Sequence, residues 1–140
     1  MIRQFFVAGA IVALSTVSAL AGEPARDALL SAFAAQAAAG DAGFTGFSAA
    51  SGEKLFRGRF TGGDERTPSC TSCHTDDPRQ MGRNAKTGRN IDPVAPSVNA
   101  KRFTDMEQVE KQFGRDCKSV LGRACTALEK GNYITFMAGQ

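Results

Sequence analysis

The chain has no tryptophan, one tyrosine and one histidine among its 140 residues. With a single imidazole, any site that needs two histidines of one chain is excluded. Charge of neither sign dominates: 17 Lys and Arg stand against 14 Asp and Glu, a net +3, and they intersperse without a block of five. The sequence therefore lacks the basic arm of a nucleic-acid binder. It also lacks an internal repeat and any convincing pair of strands. What is present is 42% hydrophobic residues, enough for a folded core, in a length that suits one domain. Four cysteines and the lone histidine carry most of the chemistry.

Residues 1–21 read as a segment apart from the fold. Arg3 precedes an apolar run from Phe5 to Leu20, and Ala19-Leu20-Ala21 forms an A-x-A pattern before Gly22. This is the layout of a cleaved secretory signal peptide; the competing reading is an uncleaved anchor of minimal length. Cleavage leaves a domain over residues 22–140, with no further apolar run long enough to span a bilayer and so no stable membrane insertion. Export places the cysteines in an oxidising compartment, the periplasm or outside the cell.

The mature chain reads as small and all-α. Pro24 suits a first helical turn, and Leu30, Phe33, Ala34 and Ala37 give an apolar stripe that ends near Gly40. This forms a helical extension over residues 22–45. Ser48 caps a second helix running to about Arg57. Thr104 to Glu107 is spaced as a capping box for a helix with Met106, Val109 and Phe113 on one face, ending at Gly114. Thr126 to Glu129 is another capping box, opening a last helix with Tyr133, Phe136 and Met137 on one face. Gly131 inside it implies close packing against another helix. The segment from Asp76 to Phe103 is long and irregular, which is reasonable in a compact domain if it wraps something large and non-protein. A short chain with this much loop has little core of its own, a deficit that a large apolar cofactor repairs.

Cys70-Thr71-Ser72-Cys73-His74 is C-x-x-C-H, the covalent attachment motif of c-type haem. Two thiols three residues apart on one helical turn can reach two vinyl groups and form thioethers. The adjacent histidine supplies an axial nitrogen to the iron. A thioredoxin-like redox pair needs a βαβ context that is missing here, and a zinc site lacks its usual paired spacing. Cys117 and Cys125, eight apart, read either as a disulfide in an exported protein or as two free thiols. The bridge would close a nine-residue loop, worth about 2.6 kcal/mol in the chain-entropy model. For the second axial position, Met106 and Met137 read as core residues, and Met81 follows His74 too closely to circle a haem. Arg57, Arg59, Arg66, Lys86 and Arg89 are candidates to pair with haem propionates.

Gly52-Glu53-Lys54-Leu55-Phe56, the C-x-x-C-H motif and a C-terminal helix together resemble a class I cytochrome c, in which the first and last helices cross in contact; the resemblance implies that Pro93 sits near His74, with a backbone carbonyl there orienting the His N–H. A closer resemblance lies in Ile91 to Ser97, Arg102 to Asp105, Val109 to Lys111, Gly114 to Cys117, Ser119-Val120, Gly122 to Thr126 and Glu129-Lys130. These runs are similar to the sphaeroides haem protein family, the SHP-type cytochromes, and the likeness extends from about Pro24 to Gln140. It implies a periplasmic cytochrome with one covalent haem c, held by Cys70 and Cys73, with His74 as proximal ligand and a disulfide between Cys117 and Cys125. In that family the distal ligand is an asparagine that leaves on reduction, so that ferrous iron can bind oxygen or nitric oxide. The matching position here is Asp116. A carboxylate is a harder, charged donor; it favours ferric iron, lowers the reduction potential and is released on reduction at least as readily. A solvated Asp116 beside Arg115, and Lys118 as ligand, are the rival readings. The resemblance implies one-electron transfer with redox-partner cytochromes and a small diatomic ligand rather than an enzyme. A carrier with a permanently filled distal site is the alternative, as is a small oxidase or reductase, for which no distal His/Arg pair is available.

Overall fold

The computed structural model describes residues 23–140; the proposed signal segment, residues 1–21, lies outside them. Helix α1 spans Glu23–Gly40, α2 Ala49–Arg57, α3 Thr71–His74, α4 Met106–Leu121 and α5 Ala127–Ala138. Two strands of two residues each, β1 (Gly82–Arg83) and β2 (Asn90–Ile91), pair antiparallel with Gly82 opposite Ile91. This pair corrects the strand-free expectation. It is too short to carry an alternating pattern, so no periodicity announced it.

Local signals account for most helix boundaries. Ser48 caps α2 by accepting from the Ser51 N–H at 3.2 Å. Thr126 and Glu129 form the expected capping box at the start of α5. At α4 the cap lies one residue later than expected: Asp105 accepts from Gln108 N–H at 2.9 Å, while Thr104 Oγ1 donates to the Lys101 carbonyl. Nor does Gly114 end that helix. It is exposed with open space around it, and the stripe of Val109, Phe113, Cys117 and Val120 carries the helix through to Gly122, which is left-handed at φ 74°. One interior glycine costs about 1 kcal/mol, less than a continuous apolar face returns.

The core sits where α2 crosses α5. A Cβ at Gly52 would collide with the Asn132 carbonyl oxygen, so the two backbones approach as only glycine allows. The Asn132 side chain accepts from Ser48 N–H at 2.7 Å on the same crossing. Fully buried Phe56 packs on Tyr133 and Phe136 with ring centroids 6.1 and 5.9 Å apart, and Tyr133 also meets Phe103 and Phe113 edge-on. Helix α1 packs along α5 through Leu29, Phe33 and Ala37, with Lys130 Nζ 5.3 Å from the Phe33 ring centroid. Leu29 rather than Leu30 leads this stripe. Gly131 does pack closely, but against the ring of Phe47 in the loop before α2 rather than against a helix.

Cys117 and Cys125 are joined by a disulfide, Cα atoms 5.6 Å apart. The bridge ties the last turns of α4 to the residue preceding the α5 cap.

Candidate cofactor site

The C-x-x-C-H segment forms a single tight turn of helix. Cys70 starts it in right-handed helical geometry, and its carbonyl accepts from the N–H groups of Cys73 and His74 at 3.2 and 3.1 Å. Ser69, nearly fully buried, anchors the entry by donating from Oγ to the Phe56 carbonyl at 3.1 Å. Thr75 ends the turn at φ 61°, sparsely populated for a β-branched residue. Its hydroxyl is held by the Asp77 carbonyl at 3.0 Å. Gly82 of β1 lies directly behind the turn, where a Cβ would collide with the Cys73 carbonyl oxygen.

Cys70, Cys73 and His74 all line one cavity of about 750 Å³. Its floor and walls include Leu55, Val94, Phe103, Val109 and Phe113. Both thiols are free. Burial pushes the Cys70 thiol up to about 12, aided by the charge of Asp116. A thiol so hard to ionise is the opposite of the lowered-pKa cysteine of a dithiol oxidoreductase. Burial also pulls His74 down to about 4, against Asp116, which favours its charged form. The imidazole is therefore neutral at physiological pH and keeps a nitrogen lone pair for a metal. Among the described residues no three His, Cys, Asp or Glu side chains converge on one point, so the zinc reading has no ligand set. Tyr133, buried on the cavity wall, is raised well above the usual tyrosine range, first by desolvation and then by Cys70 and Asp116.

Helix α4 lines the same cavity with Gln112, Asp116 and Ser119. The Asp116 carboxylate is half-exposed and paired with Arg115, Oδ1 accepting from Nε at 2.7 Å. Lys118, the weaker ligand candidate, also reaches the wall. Met81, Met106 and Met137 do not: Met81 is exposed, and Met137 is fully buried in the core. Of the cations matched to propionates by sequence, Lys86 and Arg89 line the cavity while Arg57, Arg59 and Arg66 do not. Lys86 Nζ bonds Ser119 Oγ at 2.8 Å and Asp64 at 3.0 Å, and Ser119 Oγ in turn lies 2.9 Å from Thr67 Oγ1. This polar corner joins three distant segments, and nothing local in the sequence marked it. Arg102 is a further cavity-lining cation that the sequence reading missed. Its Nε donates to the Pro93 carbonyl at 3.0 Å, and Asn99 donates to the same oxygen at 3.1 Å. Among the described residues the Pro93 carbonyl thus accepts from Asn99 and Arg102.

These residues fit a c-type haem. Two free thiols and a neutral imidazole share a largely apolar cavity of cofactor size, with cations at its polar edge.

Residues 42–137 match the model of a domain family described as a domain of unknown function, DUF1924. The chain is 40% identical over 137 residues to the cytochrome c-type protein SHP of Cereibacter sphaeroides, covering 98% of each chain. It superimposes on the structure of oxidised SHP, described as an oxygen-binding cytochrome c, with a TM-score of 0.75, 40% identity and coverage of 82% of this chain and 96% of that one. Oxidised cytochrome c'' of Methylophilus methylotrophus is similar too, with a TM-score of 0.73, 32% identity and coverage of 84% and 95%.

Proposed function

Because the chain belongs to the SHP-type family of c-type cytochromes within DUF1924, we propose that it is an exported monohaem cytochrome whose distal ligand is displaced on reduction to admit a small diatomic gas. The fold is that of the cytochromes c, mostly helical with one disulfide, and the family's cofactor is one covalent haem c. When bound, that group supplies one-electron chemistry at iron and a coordination position for the gas.

This chain's own residues have four tasks in the proposal. Cys70 and Cys73 would hold the cofactor as thioethers, each adding its S–H across a vinyl double bond. His74 would offer it a neutral ring nitrogen. Lys86 and Arg89 would pair with its propionates at the polar edge. Asp116 would offer the iron a carboxylate, a hard anionic donor that favours the ferric over the ferrous state and so would hold it less firmly once an electron is added. The apolar wall would limit the access of water to it. No described helix is long and apolar enough to cross a membrane. An export signal in residues 1–21 and service to other cytochromes as electron donors belong to the same proposal.

The observation that carries this reading is that Asp116 shares the cavity with His74 while, among the described residues, no methionine lines it. A carrier with permanent His/Met ligation would need one there. The deciding measurement is the optical spectrum of the anaerobic, dithionite-reduced protein, followed by carbon monoxide. A broad, unsplit visible band and a shift on adding the gas are expected. Sharp α and β bands without a shift would mean that a strong sixth ligand persists, and the plain-carrier reading would replace this one.

A further inference from the structure

The Asp116 carboxylate is engaged on both oxygens by one guanidinium. Arg115 Nε donates to Oδ1 at 2.7 Å and Nη2 to Oδ2 at 3.3 Å. Consecutive residues on a helix do not ordinarily face each other, so Arg115 has to fold back along α4 to make this fork. Among the described residues it has no other hydrogen-bond or ion-pair partner. Its side chain is 72% exposed and does nothing for the core. Two other cations of the cavity wall are anchored elsewhere: Lys86 on Asp64 and Ser119, and Arg102 on the carbonyls of Asp92 and Pro93. Asp116 thus has one dedicated cationic partner.

The geometry points to Arg115 as a positioning residue, the alternative partner that receives the Asp116 carboxylate whenever it is off the iron. This inference rests on the reading of Asp116 as distal ligand. A carboxylate released from the iron at a partly buried site needs a hydrogen-bonding or ionic partner in its place. The guanidinium fork meets that need with planar, two-point recognition. It stabilises the open state and leaves the closed one without an equivalent gain. An exposed pair of this kind shifts an equilibrium a few-fold, enough to tune ligand access and too little to hold the fold together.

The test uses ferric holoprotein titrated with imidazole, a neutral ligand that competes with Asp116 for the iron and is not attracted by a change in net charge. Four proteins form a cycle: the natural chain, Arg115→Ala, Asp116→Ala and the double variant. Arg115→Ala should bind imidazole about threefold more weakly, because the carboxylate has lost its other resting place. Asp116→Ala should bind it more tightly, and adding Arg115→Ala to that background should change nothing. Arg115→Lys, which keeps the charge and loses the fork, should recover part of the affinity. The midpoint potential of Arg115→Ala should fall. Equal affinity in Arg115→Ala and the natural chain, or the same change in both backgrounds, would overturn the role of Arg115 alone. An Asp116→Ala protein with an unaltered ferric spectrum would sink the ligand reading beneath it.

Discussion

Gly82 shows how a single missing side chain positions a site. Its Cα sits against the carbonyl of Cys73, and a methyl group there has nowhere to go except by moving the C-x-x-C-H turn or β1. Overpacking of this kind commonly costs about 1–3 kcal/mol. Gly82→Ala should lower the melting temperature and, by displacing the thiols, reduce covalent haem content several-fold; the ratio of Soret to protein absorbance measures the latter. At this scale the sequence was partly legible. The attachment motif and the acidic residue before the first disulfide cysteine are strings of neighbours, and both stand on the cavity wall. The contact of Gly82 with Cys73 crosses an irregular loop, and that of Lys86 with Ser119 joins residues 33 apart in the chain. No local pattern encodes such pairs, so they became visible only with the fold.

At the scale of elements, termini were the readable feature. Ser48 and the Thr126–Glu129 box stand where the sequence put them because capping is a contest among a few adjacent groups. The end of α4 was misjudged for the opposite reason: whether Gly114 stops a helix depends on the apolar face it interrupts, which is a tertiary matter. Helix α5 also offers a pH test. Arg123 donates to both oxygens of Glu129, at 2.8 and 2.6 Å, and holds its carboxyl below the usual glutamate range. A carboxyl lowered in the folded state adds stability above its unfolded pKa and loses it as pH falls through the folded value. Glu129→Gln keeps a capping side chain but loses the ion pair, so it should be destabilised by about 0.5 kcal/mol at pH 7. The gap should close in acid, below about pH 4. Thermal melts of both proteins at pH 7 and pH 3 would check this; a gap that persists at pH 3 would assign the loss to capping geometry instead.

For the molecule as a whole, the cavity is large beside the stability available. Val94, Phe103, Val109, Phe113 and Tyr133 of the core each turn a face to it, and without the cofactor those faces lose their packing partner. Domains have about 5–15 kcal/mol to spend. The Cys70→Ala, Cys73→Ala double variant, unable to retain haem covalently, should therefore lose its near-ultraviolet circular dichroism while keeping much of its helix signal. A sharp, cooperative melt in that variant would show that the chain stands without its cofactor. The long connection between α3 and α4 is reasonable on the same ground, since Val94 and Phe103 within it pack into the core and also line the cavity.

The crossing of α2 and α5 has a consequence for the order of events in making this protein. The bond from Ser48 to Asn132 joins residues 84 apart, among the largest loop closures in the chain and costly in chain entropy. The thiols lie within that loop, on a cavity to which α5 contributes Tyr133. A chain in which the last helix has not yet docked leaves that wall open, so cofactor attachment is expected to be easiest before the crossing forms, with the last helix as the door that is shut behind the cofactor.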